Sequence, residues 1–218
     1  MQKIKFLKYD IGWLFVKLGE AVIKISKDLY IGEVYTTGIG NLIYPYHAIW
    51  KTWVNPDFTP FRTLIIAKSR HGIRKKLLIF DKTSGKVIIQ RLLPHFSTQE
   101  IRIAFPVYDE LSALVLSFSL DYTRIKKIKI PLYIRKKRRF LTLSVKKETL
   151  CIWNHKKEKC YKILIDLPQE SELLKHSREV LMWLLKDKKV PVRLSGKLPL
   201  FGSLEGVLKS VCLLKERT

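Results

Sequence analysis

Short apolar segments bounded by turn residues repeat along most of the chain, and they restrict the fold to a mainly β class. The segments 29–35, 75–80 and 86–91 are rich in β-branched and aromatic residues, which favour strands. A turn with a glycine, 81–85, joins the last two into a predicted hairpin. Turn signals then recur about every 8–12 residues, which is typical of an antiparallel sandwich or barrel. The further predicted strands are 125–132, 140–145, 150–153, 161–167, 190–197 and 204–213.

Helix signals are few. Residues 109–116 predict a short helix, because Pro106 precedes them and Asp109 and Glu110 lie where the helix dipole favours acidic side chains. Residues 171–176 predict a helix of one or two turns. Another helix is predicted over 46–53, ending near Pro56, from an apolar stripe at the spacing i, i+3, i+4, i+7 formed by Tyr46, Ile49, Trp50 and Trp53.

We therefore expect one mainly β domain over residues 1–218. Its form is a curved antiparallel sheet or incomplete β-barrel of about ten or more strands, with two or three short helices. The helix predicted over 46–53 would partly fill the curve and leave an apolar trough. Such troughs suit lipid-like ligands.

The chain is strongly basic, and its positive charge is concentrated in one segment. Lys and Arg number 42 against 19 Asp and Glu, which gives a formal net charge of +23 at pH 7. Between Tyr122 and Lys147 there are eleven basic residues and no acidic one. Lys and Ile alternate over 127–130, so one strand face carries lysine. The candidate ligand-binding residues are Arg124, Lys126, Lys127, Lys129, Arg135, Lys136, Lys137, Arg138 and Arg139.

This basic face predicts a polyanionic partner. We expect an anionic lipid, a glycolipid or the membrane surface, because each lysine near an anionic bilayer contributes about 1 kcal/mol. The alternative partner is nucleic acid, since Tyr122, Tyr133 and Phe140 interleave with the basic residues and can stack on single-stranded bases. A third interpretation is that residues 135–139 form the solvated tip of a hairpin.

No motif indicates catalysis. The five histidines are scattered, and the glycine-containing segments lack the spacing of phosphate-binding loops. Asp109 and Glu110 leave a hydrolase or carbohydrate-active enzyme as a further alternative, which needs two carboxylates about 5–10 Å apart across a cleft. We expect a non-enzymatic protein with no metal and no other cofactor. The scarcity of Asn and Gln beside abundant Lys and Ile resembles the composition of thermophile proteins.

The three cysteines lack the spacing of a zinc site. If residues 154–157 form a hairpin loop, Cys151 and Cys160 lie opposite each other, about 4.5–5.5 Å apart at Cβ, near what a disulfide requires. Two reduced, buried thiols are the other interpretation.

No apolar run reaches the length of a transmembrane helix, and the first ten residues hold no stretch of secretory-signal length. The chain is therefore expected to be either cytoplasmic or a mature form.

Four motifs in order resemble a bacterial family catalogued as domain of unknown function 3108. They lie at residues 9–21, 106–114, 182–193 and 197–204. The resemblance spans nearly the whole chain and implies an exported, mostly antiparallel β protein with no known activity. It implies a location in the periplasm or cell envelope, with the cytoplasm as the alternative. The family-motif residues are Tyr9, Gly19, Asp109, Ser112, Trp183, Asp187, Pro191, Arg193 and Gly202.

Several of these motif residues suit structural roles. Gly19 and Gly202 fit places where a strand bends or turns tightly. Asp187 can bond the backbone of a turn between strands 180–185 and 190–194. Arg193 is expected to pair with a carboxylate, since its guanidinium suits that contact. Ser112 has no His or Lys at a partner spacing, so we do not expect it to be a nucleophile.

Overall fold

The strands of the chain form a single antiparallel sheet. The structure, a computed structural model, describes residues 3–168, 179–198 and 202–215. The predicted mainly β fold is confirmed. In these residues the strands are β1 (Lys3–Trp13), β2 (Val16–Ile25), β3 (Leu29–Thr36), β4 (Tyr46–Val54), β5 (Pro60–Ser69), β6 (Gly72–Asp81), β7 (Lys86–Leu93), β8 (Ser97–Arg102), β9 (Lys127–Ile134), β10 (Lys137–Trp153), β11 (Lys156–Asp166), β12 (Glu179–Leu185), β13 (Pro191–Leu198) and β14 (Gly202–Lys215), and the helices are α1 (Gly38–Ile43) and α2 (Glu110–Ser119).

The strand order of this 14-stranded sheet follows the sequence in two runs. β1 to β8 are successive neighbours, β9 to β14 are successive neighbours, and β1 pairs with β14 to join the runs. Phe6 of β1, for example, lies opposite Lys24 on one side and Cys212 on the other. Because most neighbours are joined by hairpins, local turn signals specify most of the pairing. β8 and β9 are the two edges.

The second helix lies in the curve of the sheet. Leu111, Val115 and Phe118 of α2 are buried in the same apolar cluster as Leu7 and Ile163. This confirms the helix predicted over 109–116, whereas the helix predicted over 171–176 lies outside the described residues. Neither helix in the described part of the chain is long and apolar enough to cross a bilayer.

Edge strand β9 packs against β6 and against Tyr108, but it does not pair with edge strand β8, so the sheet does not close into a barrel. Tyr133 of β9 packs edge-on against Phe80 of β6, with 5.7 Å between ring centroids. The Tyr108 amide donates to the Pro131 carbonyl at 2.9 Å, and the Tyr108 carbonyl accepts from the Tyr133 amide at 2.8 Å. These bonds occupy part of the exposed edge of β9, which limits unwanted pairing with another strand.

The helix predicted over 46–53 is wrong, because this segment is strand β4. β4 pairs with β3 and β5, and Ala48, Thr52 and Val54 are buried on its inner face. Small and polar residues at inward positions weaken the two-residue apolar alternation that identifies a strand. The large apolar residues of the segment matched a helical spacing by coincidence, because they lie on both faces of β4. They are Tyr46, Ile49, Trp50 and Trp53.

The segments predicted as separate strands 140–145 and 150–153 belong to the single long strand β10. Its hairpin with β11 turns at residues 154–155, which is shorter than the predicted loop 154–157. Cys151 therefore lies opposite Glu158, and Cys160 lies opposite Thr149. The two cysteines are diagonal neighbours with 6.0 Å between Cα atoms, and the structure joins them in a disulfide. The interpretation as reduced thiols is thus wrong in this structure.

The alternating strand directions place the connections at two opposite ends of the sheet. We call one end the apolar rim; its connections are 14–15, 37–45, 70–71, 94–96 and 135–136. We call the other end the Asp rim; its connections are 26–28, 55–59, 82–85, 154–155 and 186–190.

Candidate functional site

The predicted basic residues lie on the hairpin formed by β9 and β10, at one edge of the sheet. We call residues 126–139 the basic hairpin. Lys127 and Lys129 are exposed on β9, opposite Ser144 and Thr142, while Ile128 and Ile130 turn inward as predicted. Arg135 and Lys136 form the turn, with φ angles of 45° and 69°. Lysine and arginine side chains therefore lie along the whole hairpin, from the Asp rim to the apolar rim.

Seven cations of the basic hairpin have no acidic partner among the described residues. Within the described residues Lys126, Lys127, Lys129, Arg135, Lys136, Lys137 and Arg138 form no ion pair. The lysines on β1 and β2 differ, because Lys8 and Lys17 lie 2.8 and 2.6 Å from Glu20. Uncompensated cations on one edge favour contact with an external polyanion.

The arginines at the start of β10 point to two sides of the sheet. Arg138 shares a face with Phe140, and its guanidinium lies 4.9 Å from the centre of that ring. Lys137 and Arg139 lie on the face that carries Leu141, since side chains alternate along a strand. Arg124 precedes the hairpin and is exposed, with its Nε 3.9 Å from Asp121. The predicted site is therefore a charged edge with cations on both sides.

The aromatic residues of the nucleic-acid hypothesis are placed unfavourably for stacking on bases. Tyr133 is buried against Phe80, and burial raises its pKa to about 12. Tyr122 is buried, and its hydroxyl donates to the Ser117 carbonyl at 2.7 Å. Phe140 is exposed, but Arg138 lies over its ring. Base stacking needs open aromatic faces.

The curve of the sheet leaves a cleft instead of a long apolar trough, since α2 fills most of the interior. The cleft holds about 370 Å³ and opens near the C-terminal end of α2 at the Asp rim. Burial lowers the pKa of Lys5, whose ammonium donates to the Lys188 carbonyl at 3.2 Å. The lining side chains are Lys5, Ile25, Phe58, Val115, Phe118, Ser119, Asp187, Lys188 and Lys189.

The apolar rim presents large apolar side chains to solvent. Phe15 is fully exposed, Leu14 is 65% exposed and Leu42 of α1 is 79% exposed. More than half of the exposed large apolar side chains in the described residues belong to this rim or to the first or last strand positions beside it. Sequence reasoning missed these residues, although Leu14 and Phe15 occupy a two-residue turn where Gly, Asn and Asp are usual.

A tight backbone contact holds α1 against the sheet. A bulge in β2 lets the Leu18 carbonyl accept from the Thr37 amide at 2.9 Å. Gly40 lies so close to the Leu18 backbone that a Cβ at this position would clash with it. The Arg70 guanidinium donates to the Leu42 carbonyl at 2.9 Å. The exposed side chains of α1 are thus presented by a fixed scaffold.

Asp109 and Ser112 anchor the start of α2. The Asp109 carboxylate accepts from the Ser112 amide at 2.7 Å and so caps the helix. The same carboxylate accepts from the Thr52 and Thr63 hydroxyls, at 2.5 and 2.6 Å, on β4 and β5. Both motif residues are buried. These hydrogen bonds hold the start of α2 against β4 and β5, so both residues have a structural role.

Two further motif residues connect distant parts of the sheet. The buried Tyr9 hydroxyl donates to the Pro191 carbonyl at 2.9 Å, and burial raises the tyrosine pKa. Gly19 follows the β2 bulge, where a Cβ would clash with the Tyr35 carbonyl. This confirms the predicted requirement for glycine at residue 19.

The remaining motif residues lie on β12 to β14. Arg193 pairs with Glu205, as predicted, and its guanidinium lies 5.0 Å from the centre of the Trp183 ring. Asp187 lies in the predicted turn between β12 and β13 and lines the cleft. Gly202 begins β14. None of these contacts brings the motif residues together into one reactive site.

The family model described as protein of unknown function (DUF3108) matches residues 8–209. The chain belongs to this family. The resemblance seen in the motifs is thereby confirmed, and it spans the sheet from β1 to β14. No curated protein matches the sequence of this DUF3108 protein.

The fold is similar to that of one solved protein from another family of unknown function, and a second solved structure matches more weakly. The crystal structure of a β-barrel-like protein of the DUF1849 family from Brucella abortus has a TM-score of 0.66 and 10% identity, covering 98% of each chain. A DUF1089 family protein from Pseudomonas aeruginosa has a TM-score of 0.44 and 11% identity, covering 87% of this chain and 93% of its own. The first similarity supports the barrel-like curvature of the sheet.

Across residues 3–168, 179–198 and 202–215, no group of three or more His, Cys, Asp or Glu side chains has the arrangement of a metal site.

Proposed function

We propose that this DUF3108 protein is a non-enzymatic protein of the cell envelope that binds the phosphate groups of an anionic lipid or glycolipid at a membrane surface. The observation that carries the proposal is the basic hairpin, whose cations from Lys126 to Arg138 have no described carboxylate partner. Each lysine or arginine near an anionic bilayer contributes about 1 kcal/mol, so several together hold a protein at the surface.

Lipid is favoured over nucleic acid by the surroundings of the basic hairpin. The tyrosines expected to stack on bases are buried, whereas the turn at residues 135–136 belongs to the apolar rim. Positive charge beside exposed apolar side chains suits a bilayer interface. An enzyme acting on sugars needs paired carboxylates across a cleft, and the described cleft contains one, Asp187.

Co-sedimentation with vesicles tests the proposal. We expect binding to vesicles that contain phosphatidylglycerol, little binding to pure phosphatidylcholine, and a decrease as salt rises. Substituting Lys136→Gln and Lys137→Gln is expected to weaken binding about 30-fold at low salt. The matched control is Lys156→Gln with Lys157→Gln, which removes two exposed lysines beside the hairpin turn at the Asp rim.

Three results would contradict the proposal. The first is absence of binding to anionic vesicles at low salt, and the second is equal binding to neutral and anionic vesicles. The third is equal weakening by the two double variants, which would mean that net charge alone attracts the protein. A mobility shift with DNA or RNA, combined with no vesicle binding, would favour the nucleic-acid alternative.

A further inference from the structure

The apolar rim combines exposed large apolar side chains with a backbone that is held firmly against the sheet. Its exposed side chains include Leu14, Phe15 and, on α1, Ile39, Leu42 and Ile43. Contiguous exposed apolar surface of this kind marks an interaction site, whereas single exposed apolar residues are ordinary. The α1 backbone is held by Gly40 and by the Arg70 guanidinium, so the side chains keep a fixed outward position.

The charges around these side chains identify the kind of partner. In the described connections of the apolar rim there is no carboxylate, and the charged or titratable side chains are Tyr44, Arg70, His71, His95, Arg135 and Lys136. On the adjoining strands, Asp10 and Glu20 contact Lys17, and Glu205 pairs with Arg193. Asp166 ends β11 and Glu179 begins β12 at this end of the sheet, whereas within the connections themselves the described charge is only positive. A partner that covers this rim must therefore supply apolar material together with negative charge.

A second copy of the chain does not meet this requirement. An isologous contact would place this rim, with Arg70 and Arg135, against the same basic rim of the copy, so like charges would face each other. An anionic bilayer supplies both components, because phosphates lie directly above the acyl chains. Leu14 and Phe15 form the tip of the hairpin that joins β1 and β2.

Turn chemistry adds an independent indication. Leu14 has a φ of 53°, in the region that Gly and Asn adopt easily and Leu does not. Keeping Leu there costs folding stability, which supports a use of the apolar side chain outside the folded chain.

We propose that the apolar rim inserts into the boundary between headgroups and acyl chains of an anionic bilayer, with Leu14, Phe15 and Leu42 entering first. This rests on the proposed function, which it refines by giving the protein one orientation at the membrane. The turn at residues 135–136 then meets the headgroups. Lys126 and Lys127, at the other end of β9, lie roughly 25 Å farther away, beyond the range of screened attraction at physiological salt.

The test is the double variant Phe15→Ser, Leu42→Ser, measured by co-sedimentation with phosphatidylglycerol-containing vesicles at about 0.5 M salt, where electrostatic attraction is screened. Wild type is expected to stay bound, and the variant to bind about 100-fold more weakly. The control is Leu150→Ser, Ile152→Ser, which replaces residues that are 61% and 77% exposed near the Asp rim. All replaced side chains are exposed, so equal melting temperatures are expected to verify folding.

Orientation is measured separately at about 0.15 M salt, where attraction over roughly 25 Å is screened. Insertion through the rim predicts that Lys136→Gln, Lys137→Gln weakens binding while Lys126→Gln, Lys127→Gln does not. Equal effects of the two pairs would overturn the rim-first orientation.

The outcomes separate this inference from the proposed function. If wild type binds anionic vesicles and Phe15→Ser, Leu42→Ser binds equally well at both salt concentrations, insertion is overturned and binding through the basic hairpin stands. If wild type binds no vesicle at low salt, both are overturned. Concentration-dependent dimers that disappear in this variant, without vesicle binding by wild type, would assign the rim to a second copy.

Discussion

The two rims of the sheet solve the same problem, connecting antiparallel strands, with different residues. At the Asp rim, carboxylates accept hydrogen bonds from their own turns: Asp57 from Thr59, and Asp81 from Thr83 and Ser84. These bonds lower the pKa of both aspartates. At the apolar rim the described connections contain Leu14, Phe15, Arg135 and further apolar or basic residues, together with the neutral Thr37 and Asn41 and no carboxylate.

Two hairpins show the difference most directly. Residues 135–136 and 154–155 both form two-residue turns with positive φ at each position. The Asp-rim turn begins with Asn154, which tolerates this geometry, whereas the apolar-rim turn has Arg135 and Lys136. At the Asp rim, Asn154, Asp57 and Asp81 are turn residues that stabilise the fold, although Phe58, His155 and Lys189 also have positive φ there. Those at the apolar rim are explained better by what they contact outside the chain.

The largest expected effect is a loss of folding stability when the residue that anchors α2 is replaced. Asp109→Ala removes the cap of α2 and leaves the Thr52 and Thr63 hydroxyls buried without their acceptor. We expect the free energy of unfolding to fall by about 3 kcal/mol. Denaturant unfolding measures this, and vesicle binding by the folded variant should match wild type. A loss of binding without a loss of stability would place Asp109 at the site.

The second prediction replaces the turn residues of the two hairpins, one at each rim. Arg135→Asn with Lys136→Gly is expected to raise the free energy of unfolding by about 1 kcal/mol, because both residues then suit positive φ. The same variant is expected to bind anionic vesicles more weakly. Asn154→Ala is the counterpart and is expected to lower stability by about 1 kcal/mol without affecting binding. Unchanged binding by the first variant would remove the functional explanation of its turn.

The smallest effect concerns Glu20 on β2. Hydrogen bonds from Lys17, Lys8 and Tyr35 lower the pKa of Glu20 from 4.5 to about 2. A lowered pKa stabilises the fold above the unfolded-state value, and the contribution disappears as pH falls from about 4.5 to about 2. Glu20→Gln should therefore be less stable than wild type at pH 7, with the difference closing by pH 2. A difference that persists at pH 2 would show that Glu20 acts through something other than its charge.

Much of the fold follows from local sequence signals. Hairpins such as β6 with β7 are specified by alternation and turn residues within a few positions, and Asp109 marks the start of α2 by its capping chemistry. β4 was missed because Ala48 and Thr52, on its buried face, are small or polar. Thr52 has that character because it bonds Asp109, a contact between residues 57 positions apart.

The basic hairpin was predictable, whereas the apolar rim was not. The cations from Arg124 to Arg139 are consecutive enough to stand out in the sequence. Leu14, Leu42 and Arg135 are far apart in the chain, and they share one rim only because of the strand order and direction. The turn with Leu14 and Phe15 was the available signal, since a local preference is violated there without any structural gain.

The most direct test of membrane insertion is fluorescence quenching by brominated lipids in anionic vesicles. Phe15→Trp and Ile152→Trp each add a sixth tryptophan to the native five. The account predicts that bromine on the upper acyl chain quenches the added emission of Phe15→Trp, with a shift to shorter wavelength, and leaves that of Ile152→Trp unchanged. Equal quenching at both positions, or none at residue 15 while the protein is vesicle-bound, would contradict it.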